Sequence, residues 1–145
     1  MRAWLPDGAV AAVPAALLSG LPSTVHALVR RRNPLEAAAA AGALVAPREQ
    51  RRLRLVAYAI PVHMGISLLW SLLLARVLPA RSTLLFAVAG GGAIAVLDLG
   101  VIGRRLPPIR SLPQGPQVVD HLAFGALVGA VVASRRARRR LMTAR

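Results

Sequence analysis

The sequence predicts an all-α fold: a bundle of four transmembrane helices with one short interfacial helix after the first span. Three observations carry that expectation. Of the 145 residues, 56% are hydrophobic, above the roughly 45–50% usual in soluble domains, and mean hydropathy is +0.57. The apolar residues come in blocks separated by arginine-rich connectors rather than at amphipathic spacing. Four of those blocks approach or exceed the ~20 residues needed to cross a hydrocarbon core.

The first block runs 9–29. Arg2 ahead of it imitates a signal peptide, but Asp7 falls in the would-be basic region and Pro14 and Pro22 interrupt the run. With no clear small-residue cleavage site, a first span is expected. Arg30, Arg31 and Arg32 stop it. Asn33-Pro34-Leu35-Glu36 then reads as a helix start, with Asn33 as cap and Glu36 where a capping-box acid belongs. The helix it opens, 34–46, is too short to span and is expected in the interface or against the bundle.

The second span, 55–78, contains Pro61, which withholds a donor from the Ala57 carbonyl and predicts a kink. A hairpin around Pro79 leads to the third span, 83–102, where Ala87, Gly91, Ala95 and Asp98 recur at helical spacing. That is a small-residue groove leading to an acid. After a proline-rich connector, Pro116 opens the fourth span, 116–134. His121, Gly125 and Gly129 follow one another at intervals of four, a stripe able to serve a bundle core or a dimer. The last stretch, 135–145, reads as a basic tail outside the hydrocarbon.

Composition removes several function classes. There is no cysteine, hence no disulfide or thiolate chemistry. The net charge of +14 invites nucleic acid, but aromatics are only 3% of the chain and the arginines cluster at the ends of apolar blocks. Lipid and its anionic headgroups are therefore the expected partners, and nucleic acid is not. All 19 basic residues are arginine, a pattern expected of GC-rich coding sequence. No GxSxG, HExxH or phosphate-loop pattern occurs, so the reading leans away from an enzyme and expects no cofactor.

Five polar residues are the candidate site: His26, His63, Asp98, Asp120 and His121. Counted from the flanking connectors at 1.5 Å per residue, the first four lie roughly 6, 14, 9 and 6 Å below one face, and the other half of the bilayer is expected to hold no ionisable group. One reading is structural. Asp98 pairs with Arg105 seven residues on, Asp120 meets a connector arginine, and the histidines donate to carbonyls freed at Pro22 or Pro61. The second is a polar vestibule open to one side and suited to proton relay. A third, metal or haem ligation, uses suitable ligand types but lacks helical ligand spacing, and the metal question stays open.

Orientation is not set by charge. Four crossings put nine arginines on one side and ten on the other, so the positive-inside rule favours neither orientation. The segments PSTVHAL (22–28), NPLEAA (33–38), LDLGVIGRR (97–105) and PQVVDHLAFGALVGA (116–130) resemble those of small four-helix integral membrane proteins of GC-rich bacteria. The resemblance implies a bacterial cytoplasmic membrane protein and adds weight to Asp98, Asp120 and His121 as a group, but carries no activity with it. The expected function is a non-enzymatic multi-pass membrane protein, a packing partner or accessory component of a larger assembly or homo-oligomer. The alternative is a small transporter or channel built on the His/Asp vestibule.

Overall fold

A computed structural model describes residues 3–144, and every described regular element is helical. The elements are α1 (Trp4–Leu18), α2 (Leu21–Val29), α3 (Glu36–Ala43), α4 (Arg52–Val77), α5 (Thr83–Ala95), α6 (Pro107–Arg110) and α7 (Gln114–Thr143). A π-helical segment, Val96–Ile102, and a 3-10 turn, Gly103–Arg105, extend α5. Four stretches are long and apolar enough to cross a membrane: Trp4–Val29, Arg52–Val77, Thr83–Arg105 and Gln114–Thr143.

The first stretch ends at Val29 as expected but departs from expectation at its start and in its interior. Helix starts at Trp4 rather than residue 9, which takes Asp7 into the first turn of α1, where the helix dipole favours a carboxylate. The stretch then breaks at Ser19–Gly20, because Pro22 cannot donate to the Leu18 carbonyl and restarts helix in the first turn of α2. α2 ends with Arg31 in the left-handed region, φ 53°. The Arg32 and Arg31 amides donate to the Ala27 and Leu28 carbonyls, closing a C-terminal cap usually given to glycine.

α3 is shorter than the expected 34–46. Asn33 Oδ1 accepts the Leu35 amide at 2.9 Å, which makes a turn instead of a cap. Glu36 turns to Arg32 at 3.1 Å rather than back to Asn33, so the capping box does not form. α3 lies against the start of α4 at Gly42, where any Cβ would overlap the Leu55 backbone.

Glu49 precedes α4 and accepts the Gln50 and Arg51 amides at 3.0 and 2.8 Å. The Arg51 amide in particular, with Arg54 beside it, holds the Glu49 carboxyl below the ordinary glutamate value. A lowered folded value means stabilisation that is full above the unfolded value and lost as pH falls through the folded one. Glu49→Gln is therefore expected to loosen the start of α4 at ~pH 7 and to converge on wild type as pH falls through the lowered folded value, read by amide hydrogen exchange over 52–55. An equal effect throughout that fall would refute the ionised cap.

α4 continues as helix through Pro61. The four long stretches alternate in direction: α1 packs on α4 and α7, and α7 packs on α5. The core is built of small and β-branched residues, among them Ala11, Ala15, Ala75, Ala87, Val128 and Val132. Phe124, Ile94 and Leu74 fill the remaining volume. Among the four long stretches, the tightest crossing is α5 on α7. A Cβ on Gly91 would overlap the His121 carbonyl, one on Gly125 the Ala87 carbonyl, and one on Gly129 the Ala87 side chain. The glycine stripe thus packs within the chain's own bundle, beside the buried Ala95.

The expected basic tail is helix. α7 runs to Thr143, and Arg136 donates to the carbonyls of Ala75, Leu78 and Pro79 at 3.3, 3.1 and 2.9 Å. Those carbonyls lie at the C-terminal end of α4 and past it, where partners are missing and the dipole favours a cation.

Candidate functional site

Four of the five sequence candidates make polar contacts within the chain, in three separate engagements. The first joins α5's extension to α7. His121 Nδ1 lies 2.7 Å from the Gln117 carbonyl, and Nε2 lies 3.4 Å from Asp98 Oδ2. A carbonyl only accepts, so Nδ1 carries a hydrogen and Nε2 is left to face the carboxylate. Both side chains remain partly exposed, at 22% and 25%.

The expected Asp98–Arg105 pair is corrected here. Asp98 faces His121, and no Asp98–Arg105 bridge occurs among the described residues. In a continuous α-helix seven residues return to nearly the same face. The π segment closes i→i+5 rings, as in the Gly103 amide donating to the Asp98 carbonyl, so each residue turns the chain through a smaller angle. Seven residues then end on another face.

The second engagement joins α7 to the helix break. Asp120 Oδ1 accepts the Ser23 backbone amide at 2.9 Å. Ser23 stands in the first turn of α2, whose amides have no partner inside the helix, so Asp120 caps α2 from a different helix. This replaces the expected arginine partner of Asp120. His63 makes the third engagement. Its Nε2 lies 2.8 Å from the Ala16 carbonyl, in the last turn of α1 before the break, and donates to it. His26 makes no side-chain hydrogen bond among the described residues.

The end of the bundle where α1 begins holds what sequence reasoning missed. Asp7 is 1% exposed. Arg135 Nε donates to its Oδ1 at 2.8 Å, and Arg139 donates to both oxygens, the Nη1–Oδ1 contact being 2.7 Å. Titratable groups are therefore not confined to one half of the bundle. The sequence showed only the separate parts, an acid near the start of an apolar helix and two arginines at i, i+4 spacing in the last stretch. Arg76 stacks 5.6 Å over the Trp4 ring on the same end.

Among the described residues no three of His, Asp and Glu come together as a metal-holding group. A groove of about 640 Å³ runs between α5 with its extension and the start of α7, and none of the five candidates lines it.

Fold and site together define the class: an all-helical chain with four helices long and apolar enough to span a membrane, stitched at both ends by intramolecular polar contacts. No protein-family model matches the chain, and comparison with curated proteins and with solved structures finds no match.

Proposed function

We propose that the protein is a non-enzymatic, multi-pass component of a bacterial cytoplasmic membrane that acts as a packing partner or accessory subunit in a larger membrane assembly. One observation carries this reading. Asp98, Asp120, His121 and His63 are each engaged by groups of the same chain, at a helix pair, a helix break and a helix end. Polar groups spent in this way fix helix register. The outward faces of α4 remain aliphatic, with Ile60, Leu69, Leu73 and Val77 exposed for lipid or a partner helix.

The Asp98–His121 pair favours a second reading, a small proton-coupled transporter or channel, because imidazole beside a carboxylate is the side-chain pairing suited to proton relay. Proton flux into proteoliposomes separates the two. The accessory reading expects wild type and Asp98→Asn to match empty liposomes, while blue-native electrophoresis of source membranes places the chain in a complex with different subunits. Wild-type flux that Asp98→Asn abolishes, with thermal unfolding unchanged, would replace it by the transporter reading.

A further inference from the structure

The groove between the α5 extension and α7 differs from the rest of the lipid-facing surface. Gly92, Val96, Leu99, Gly100 and Val118 form its apolar part, and Arg104, Arg110 and Gln114 stand at one end. The glycines matter to its shape. A Cβ on Gly100 would meet nothing within 4 Å and one on Gly92 would make only an ordinary contact, so bundle packing does not require glycine at either place. Their missing side chains leave a trough.

Like most of the described arginines, those at its end have no carboxylate partner. Arg32, Arg54, Arg135 and Arg139 each have a carboxylate partner, whereas Arg104 and Arg110 have none among the described residues. The backbone on either side of Arg110 is held in place. Gln114 Nε2 donates to the Ile109 and Leu112 carbonyls at 3.1 and 2.8 Å, tying the α6 turn to the start of α7. Two uncompensated guanidiniums thus sit at one end of an apolar trough.

Length identifies what fits. Gly92 and Arg104 are twelve residues apart, at most about 18 Å at the α-helical rise of 1.5 Å per residue and less through the π segment, whose rise per residue is smaller. Half of a ~30 Å hydrocarbon core is about 15 Å. The trough is thus about as long as one leaflet is deep, with its cations at one end. We propose that it binds one anionic phospholipid, an acyl chain lying over Gly92, Val96 and Gly100 and the phosphate held by Arg104 and Arg110. Guanidinium matches phosphate oxygens in a two-pronged geometry. A net-negative headgroup is favoured over a zwitterionic one, because the latter brings a cation to a site that already has two.

The test is native mass spectrometry of the full chain in detergent, with dioleoyl phosphatidylglycerol and dioleoyl phosphatidylcholine as tail-matched probes. One phosphatidylglycerol is expected to stay bound per chain in preference to phosphatidylcholine. Arg104→Gln/Arg110→Gln should weaken its retention roughly 25-fold, at about fivefold per arginine. Arg138→Gln/Arg140→Gln removes the same charge at the other end of the bundle and should leave retention unchanged. Gly100→Leu fills the trough and should release the lipid while the unfolding temperature holds; if it fails to fold, the charge variants still decide. Equal retention of the two lipids, equal loss in both charge variants, or displacement by inorganic phosphate alone would overturn the proposal.

Discussion

Replacing Arg135 and Arg139 together with glutamine is expected to destabilise the bundle by about 3–5 kcal/mol, the range for a buried carboxylate stripped of its partners. Asp7 has almost no solvent contact, and its oxygens are held by these two guanidiniums. The arginines are different: their side chains are 36% and 40% exposed, so each can find water or headgroups if Asp7 is removed. Loss of the acid should therefore be milder than loss of the bases. Adding Asp7→Asn to the double variant should return most of the lost stability, since no charge is then left buried. Thermal unfolding in a single detergent, applied to the double and triple variants, checks both statements. A triple variant no more stable than the double would mean that Arg135 and Arg139 do not act through Asp7.

Gly125→Leu is expected to prevent α5 and α7 from docking, and Gly125→Ala to cost about 1–3 kcal/mol as an overpacked contact. A Cβ there enters the Ala87 backbone carbonyl, and a backbone atom cannot turn aside as a side chain can. Gly91→Ala meets the His121 carbonyl in the same way and should behave alike. Gly65→Ala is the control. It lies within α4 with nothing within 4 Å of an added Cβ, so it should cost nothing and gain up to about 1 kcal/mol in helix propensity. Yield of monodisperse protein and unfolding temperature would read the series. Equal tolerance at positions 65 and 125 would show that α5 and α7 do not cross at this point.

Both results depend on contacts of different legibility. The crossing glycines stood in the sequence as a stripe, because spacing of four on one helix reports a face without reference to any other helix. Which helix that face meets was open, and the bundle answers it with α5. Asp7 was visible as an acid and Arg135 and Arg139 as bases, but 132 residues separate Asp7 from Arg139. No local pattern selects a pairing across that distance. The Asp98–Arg105 expectation failed for a different reason. It assumed regular α-helical turn through 98–105, and the π segment changed the angle per residue where Gly100 and Gly103 make helix geometry least constrained. Ser71 keeps a buried hydroxyl without a partner among the described residues, and nothing in the structure accounts for it.

The sequence by itself determined four apolar helices of membrane length, the arginine-rich ends between them and the small-residue faces, because these follow from composition and period along a single chain. Only the tertiary structure decided which polar groups meet. Asp98 faces His121, Asp120 caps α2 at Ser23, and Asp7 is enclosed by Arg135 and Arg139. Each pairing depends on the register of two helices packed together. That register is set where backbones can approach most closely, as at Gly91 and Gly125, so it belongs to the bundle and to no segment alone.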